Sequence, residues 1–275
     1  MDREKYVDVI TNTDNTCQRE GVIIPIARTA TGELVNIELN NENGLTFISG
    51  RIGSGKSTII RMILASVLSH IKDKPVEIFL ADAKGYEFPE LGNLSQEYLK
   101  EMLIGYDNTS FERFIHKIYL RLEEKRNKMA EKGWYNIETV PETEKLPISL
   151  IIIDDISMFF DYKKSYDMIY EFETLIREGW ACGFRFVLLS QSYQIARERM
   201  PMIVQNMIGQ KICISPYMGK DVIDFCEDYR PCDVEVQDNS ERFSIIMKKR
   251  STGQYETGKL FYINRDELGI VTENL

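Results

Sequence analysis

Residues 45–58 read LTFISGRIGSGKST: a short apolar run breaks into glycines and then into a lysine followed by two hydroxyl residues. Gly50 to Ser57 fit the pattern GxxxxGK[ST], which ordinary residue frequencies produce by chance in about one chain in a hundred of this length. The pattern carries chemistry only between a strand and a helix. LTFIS (45–49) supplies the strand, and STIIRMILASVLSHI (57–71) supplies a helix apolar on nearly every face, as one buried against a sheet must be. Glycines at 50, 53 and 55 let the backbone curl until several N–H groups point at one anion. The start of the following helix adds its dipole. Lys56 would then reach terminal phosphates as a point charge, and the Ser57 hydroxyl would ligate Mg2+. A bare glycine turn is the competing reading.

A phosphate cradle of this kind needs a second metal anchor. The run LIIIDD (150–155) is a buried-type strand ending in carboxylates. Asp154 is placed to hold Mg2+ through water, and Asp155 to act as a base or to orient the attacking water. The strand FRFVLLS (184–190) delivers Ser190 and Gln191 at its C-terminal end, where open α/β sheets bind ligands. Gln191 is a candidate for sensing the γ-phosphate or orienting water, against the alternative of a capping glutamine. The catalytic candidates are therefore Lys56, Asp155 and Gln191, with Ser57 and Asp154 for the metal.

The rest of the chain fits an α/β frame. VIIPI (22–26) and LVNIEL (34–39) flank Thr31-Gly32 as a hairpin. VEIFLA (76–81) is a further strand, and shorter ones are expected at KICIS (211–215), FSIIM (243–247) and KLFYIN (259–264). Phe111, Phe114, Ile115, Ile118, Tyr119 and Leu122 form a helical stripe over 111–132, and another helix spans roughly 165–178. Strands alternating with helices predict a three-layer α/β/α domain with a mostly parallel central sheet. Residues 1–44, carrying the hairpin, would pack on a core formed by 45–275. Residues 1–20 are polar and unpatterned, expected as a helix or tail.

Composition excludes more than it identifies. No apolar run approaches the roughly 18 residues a membrane span needs, so no direct membrane insertion is expected. The opening MDREKYVDVI lacks the apolar stretch of a secretory signal. Five cysteines without a CxxC, at 17, 182, 213, 226 and 232, read as free thiols in a reducing cytoplasm, with Cys182 and Cys213 buried. His70 and His116 lie in helical stretches far from any cysteine pair, which leaves a structural metal site unsupported. With 34 Lys+Arg against 43 Asp+Glu the net charge is −9, which argues against a phosphate-coating surface. Locally the balance reverses: residues 111–132 carry seven basic against four acidic side chains, a candidate DNA patch whose default reading is a solvated face.

Taken in order, IIPIARTATGELVNIEL, FISGRIGSGKSTIIRMILASVL, FLADAKGYEF, EEKRNKMAEKGWYNIE, LPISLIIIDDISMFF, GWACGFRFVLLSQSYQ and IVQNMIGQKICIS resemble the motor core of the FtsK/SpoIIIE translocases. The Asp82/Lys84 segment and the Asn136-Ile137 stretch after a basic helix point to this family in particular; the phosphate and metal motifs are shared by all P-loop ATPases. The resemblance covers roughly residues 22–225. It implies a RecA-like P-loop NTPase, assembling as a homo-oligomeric, hexameric ring that drives double-stranded DNA through its pore at the expense of ATP. By position it puts phosphates on Gly53, Ser54, Gly55, Lys56, Ser57 and Thr58, and Mg2+ on Ser57 and Asp154. DNA contacts would come from Arg197 and Arg199 in a loop after Gln191. Relatives act in conjugative coupling and in type VII secretion, which implies a membrane-anchored or mobile-element partner protein. It also leaves two alternatives: a protein-transfer ATPase and a weakly hydrolysing nucleotide switch.

Three positions depart from the family pattern. Asp155 stands for a catalytic glutamate and reaches about 1.5 Å less far. Trp180, in Trp180-Ala181-Cys182-Gly183, and Ser192 stand where the family has arginines. Loss of an arginine acting in trans can cost on the order of 10³-fold in rate. Arg177, Arg185, Arg197 and Arg199 are the possible substitutes.

Overall fold

The structure, a computed structural model, describes residues 5–11, 17–18, 21–70, 75–144, 146–160, 164–215 and 243–273. In chain order the strands are β1 (Cys17–Gln18), β2 (Gly21–Arg28), β3 (Leu34–Asn40), β4 (Leu45–Gly50), β5 (Val76–Asp82), β6 (Leu99–Ile104), β7 (Ile148–Asp154), β8 (Phe184–Ser190), β9 (Gln210–Ile214), β10 (Ser244–Lys249) and β11 (Tyr255–Leu260). The helices are α1 (Tyr6–Thr11), α2 (Lys56–Ser69), α3 (Asn108–Glu131), α4 (Ile156–Phe159), α5 (Tyr166–Glu178), α6 (Tyr193–Arg199), α7 (Met202–Met207) and α8 (Arg265–Glu273).

All the described strands join one sheet. Its parallel part runs β9-β4-β8-β7-β5-β6. Beyond β9 the sheet continues antiparallel through β10, β11 and the β2–β3 hairpin. Strands β4, β5, β7 and β8 are buried along their whole length, because both faces are covered. Alternation sorts their side chains: Leu150 and Ile152 of β7 enter the core beneath α2, and Ile151 and Ile153 enter the opposite core with α3 and α5. The result is the three-layer α/β frame expected from the sequence. Helix α3 starts where Asp107 accepts the Ser110 amide at 2.9 Å, and α5 where Ser165 accepts the Met168 amide at 3.3 Å, each relieving a free amide of the first turn.

Several expectations need correction. In the segment 1–20, read as a polar helix or tail, Tyr6–Thr11 form helix α1, but it is not polar throughout: Tyr6 is fully buried, and its hydroxyl lies 2.6 Å from Ser66 Oγ on α2. The last strand is Tyr255–Leu260 and not 259–264, because the Gly253 turn starts a hairpin with β10 in a sequence, YETGKL, with almost no apolar pattern. Strand β6 was not expected, since LKEMLI is a half-buried edge with weak alternation. Helices α4, α7 and α8 were also unpredicted. Cys182 and Cys213 are buried free thiols; Cys226 and Cys232 lie outside the described residues, as does the side chain of Cys17. Among the described residues no helix is long and apolar enough to cross a membrane.

Among the described residues, five of the seven cations in the basic stretch of α3 pair within the fold, some at its exposed face and some buried. Lys117 pairs with Glu101, Arg126 with Glu123 and Glu178, and Lys132 with Glu144. Arg121 Nε donates to both oxygens of Glu77, at 3.1 and 3.0 Å. The fully buried Lys125 ammonium bonds Pro147 O at 2.7 Å and Ser149 Oγ at 2.6 Å and pairs with Glu77 at 2.8 Å. Burial pulls Lys125 down to about 8 against the pull of Glu77. Removing one partner of a buried pair strands the other charge. Glu77→Ala should therefore cost about 3–5 kcal/mol, read as a lower urea midpoint, while Lys117→Ala at the exposed pair should cost less than about 1 kcal/mol. Equal effects would mean that the buried network is not structural.

Candidate active site

Parallel register brings the ends of β4, β5, β7 and β8 to one edge of the sheet. Ser49 lies beside Ser190, Ile153 beside Leu188, and Asp82 beside Asp154. The glycine loop leaves β4 at this edge and enters α2 at Lys56. Gly55 has φ 119°, a left-handed conformation that L side chains rarely adopt. At Gly50 an added Cβ would lie 2.5 Å from Ser54 Oγ and 3.2 Å from Ile214 Cβ, so a side chain there would push Ser54 out of its place in the loop. Lys56 is buried, and its ammonium donates to the carbonyls of Gly50 and Arg51, inside the ring of the loop. Burial depresses its pKa, with Asp154 pulling the other way. Ser57 is half-buried on the first turn of α2, followed by Thr58.

Asp154 ends β7 with no exposed surface, and neither carboxylate oxygen has a hydrogen-bond partner among the described residues. Its nearest cation is Lys84 Nζ, 3.8 Å from Oδ2. Burial raises Asp154 to about 6, against the pull of Lys84 and Lys56. A buried carboxylate with both oxygens unpartnered is costly unless a ligand completes it. Together with Ser57 it offers a hard-oxygen site beside the phosphate loop, which suits Mg2+, an ion that keeps most of its waters and takes only one or two protein ligands. The residues present therefore fit the implied metal.

Asp155 is buried and sits at φ 60°, ψ 59° ahead of α4. Its two oxygens are both engaged: Ser157 Oγ donates to Oδ1 at 2.6 Å and Gln191 Nε2 donates to Oδ2 at 2.8 Å. The three sequence candidates thus converge on one strand edge, and Asp155 and Gln191 touch. Ser192 caps α6 by accepting the Ile195 amide at 3.4 Å, which accounts for a short hydroxyl residue at that position.

Arg197 and Arg199 lie in helix α6 and not in a loop, since Ser192 starts that helix directly after Gln191. Arg199 NH1 donates to the Ser157 carbonyl at 2.7 Å, whereas Arg197 lines a separate groove with Lys211, Lys248 and Arg250. Of the other arginines, Arg185 is fully buried, donating to the carbonyls of Trp180 and Phe184 and to Asn41, so it cannot reach a neighbouring subunit. Arg177 bonds Glu178 on its own helix. Two further charged residues enter the site without having been assigned a role from sequence: Lys84 and Glu87, on the loop after β5. A lysine and a glutamate in a loop have no signature until the strands are aligned.

A glycine loop between the central strand β4 and helix α2, with a buried acid at the end of a strand two places away, defines a P-loop ATPase of the RecA-like kind. The sequence profile of the FtsK/SpoIIIE family matches residues 7–206, and the chain belongs to that family. The DNA translocase FtsK of Bacillus cereus is 25% identical over 162 residues, covering 54% of this chain and 20% of the relative, so the chain matches only a fifth of that protein's length. Among solved structures, EssC (ATPases 2 and 3) from Geobacillus thermodenitrificans superposes with a TM-score of 0.74 at 15% identity, over 99% of this chain and 50% of that one. The cytoplasmic domain of the Thermomonospora curvata type VII secretion ATPase EccC gives 0.75 at 14%, over 100% and 34%. The pCW3 conjugation coupling protein TcpA, in a structure with ATPγS, gives 0.69 at 18%, over 95% and 73%. At these identities the likeness is one of fold.

The Asp154 carboxyl titrates near 3.8 when unperturbed and near 6 in the fold. Between those values the folded protein holds the extra proton, so stability of the ligand-free protein should fall as pH rises through this window, by on the order of 2–3 kcal/mol. Asp154→Asn should flatten that slope and raise the ligand-free melting temperature at pH 7.5. Thermal melts of both proteins across pH 4–8 check this, and an unchanged slope would remove Asp154 as its source.

Proposed function

We propose that this chain is an ATP-hydrolysing motor that moves double-stranded DNA, working as a homo-oligomeric ring. Gly50, Gly53, Ser54, Gly55, Lys56, Ser57 and Thr58 would hold the phosphates of ATP, and Ser57 and Asp154 would hold Mg2+. When bound, Mg2+ neutralises phosphate charge and polarises the phosphoryl oxygens. Lys56 supplies a fixed positive charge to the terminal phosphates. Asp155 would accept a proton from, or orient, the attacking water, and Gln191 fixes the direction of its carboxylate through the 2.8 Å bond. With both Asp155 oxygens already engaged and one methylene fewer than glutamate, turnover is expected to be slow. Asp155→Glu should raise kcat, measured at saturating ATP.

The observation that carries the DNA reading is a basic groove. In the β9–β10 pair Lys211 stands directly across from Lys248. Like charges opposite each other destabilise a sheet, and here each ammonium is seated over a tyrosine ring, Lys211 on Tyr193 and Lys248 on Tyr255. Arg197 of α6 and Arg250 beyond β10 line the same cavity of about 500 Å³. Four cations around one groove, on a chain with net charge −9, make a local positive field of the kind that meets a phosphate backbone. The groove lies near the start of β9, away from the phosphate loop at the far end of β4, which leaves room for DNA and nucleotide together.

Linear duplex DNA should stimulate ATP hydrolysis, and the stimulation should weaken steeply with salt. Replacing Lys211 and Lys248 together by alanine should raise the DNA concentration for half-stimulation by about tenfold and lower the salt slope by about one for each phosphate no longer neutralised. Lys56→Ala should abolish hydrolysis. Salt-insensitive hydrolysis without DNA stimulation, together with recovery of a bound protein substrate, would instead favour a protein-transfer ATPase. Hydrolysis that persists in Lys56→Ala would mean that the active site lies elsewhere.

A further inference from the structure

Strand β5 ends at Asp82, which is buried and directly beside Asp154. Asp82 spends its carboxylate on its own loop: Oδ1 accepts the amides of Lys84 at 3.1 Å and Gly85 at 3.0 Å, and Oδ2 accepts the amide of Glu87 at 2.8 Å. The loop is also clamped to α2, where Arg61 NH2 donates to the Glu87 carbonyl at 2.8 Å. These bonds fix the backbone at both Lys84 and Glu87. The two side chains then face the phosphate loop's helix and the end of β7. Lys84 Nζ lies 3.2 Å from Glu87 Oε1 and 3.8 Å from Asp154 Oδ2, and Glu87 also faces the Ser57 hydroxyl.

The site thus holds a second ammonium group close enough to Lys56 for the two to repel. Lys84 and Glu87 are each partly open to solvent, so the ammonium can exchange its contact with Asp154 for a phosphate oxygen when that carboxylate holds Mg2+. The stem of Lys84 is not in the core, and its neighbours are the groups that line the site.

We propose that Lys84 is a second phosphate-binding cation, held by Glu87, that contacts the terminal phosphoryl group of a nucleoside triphosphate and so sets the preference for triphosphate over diphosphate. This rests on the nucleotide reading of the site. Glu87 is a positioning residue in this scheme, since it acts through the ammonium it holds. In this scheme Lys56, inside the loop, would serve triphosphate and diphosphate alike, whereas Lys84, on the β5–β7 side of the site, would meet only a group beyond the β-phosphate.

Calorimetric titration of the full chain with Mg2+ and either ADP or ATPγS tests this without relying on turnover. In Lys84→Met the affinity for ATPγS should fall by about tenfold, or about 1.4 kcal/mol, with ADP affinity changed by less than twofold. Lys84→Arg should recover most of the preference, and Glu87→Gln should lose part of it. An equal loss for both nucleotides would make Lys84 a general electrostatic or structural contributor and overturn the proposal, as would no loss for either. If the unaltered protein binds neither nucleotide, the nucleotide reading itself fails; if it binds both and only Lys84→Met is silent, that reading stands and the assignment of Lys84 alone fails.

Discussion

The parallel register of β4, β8, β7 and β5 is the constraint on which the candidate site depends. Each strand is buried on both faces, so none can slip by one residue without turning an apolar side chain against the wrong layer. That rigidity carries the glycine loop, Asp82, Asp154 and Ser190 to one edge in fixed order. Strand β4 sits between β8 and β9, so the loop leaves the sheet with a neighbouring strand on each side, where the Asp155 and Gln191 segments can meet it. The chemistry is assembled by backbone pairing before any polar side chain takes part.

The β5–β7 pair shows how burial separates structural from functional charge. Toward its start, Glu77 is paired with Ser149 in register and is surrounded by Arg121, Lys125 and the Ser149 hydroxyl, so every buried charge has a partner. Toward its end, Asp82 is spent on the next loop and the Asp154 oxygens have no hydrogen-bond partner among the described residues. The same two strands therefore bury a closed network at one end and an incomplete one at the other. A fold retains an incomplete buried charge when something outside the chain completes it. Lys84 and Glu87 stand at that incomplete end, which is why they belong with the site and Lys125 does not.

Much of this was legible in the sequence because it is local. Gly50 to Ser57 declare a phosphate loop through residue type and spacing, and LIIIDD and FRFVLLS declare buried strands through unbroken apolar runs. What was missed lacks a local signal. Strand β6 is a half-buried edge, β11 is polar between Tyr255 and Leu260, and Tyr6 looks like part of a charged tail until it packs on α2. The basic stretch 111–132 shows the limit from the other direction: charge counting cannot see that Arg121 and Lys125 turn inward to Glu77, more than forty residues away in the chain.

By itself the sequence determined the class of the protein: the strand–loop–helix at 45–69 and the acidic strand end at 154 leave little choice of fold, because glycine conformations and apolar burial act over a few residues. Only the tertiary structure decided which charges serve the fold and which serve a ligand. It tied Asp155 to Gln191 and Ser157, buried Arg185, turned Arg197 toward Lys211, Lys248 and Arg250, and set Lys84 beside Asp154. The physical reason is range. The interaction of a charge depends on what lies within a few ångströms in space and on how much water is excluded between them, and neither is written in the order of residues along the chain.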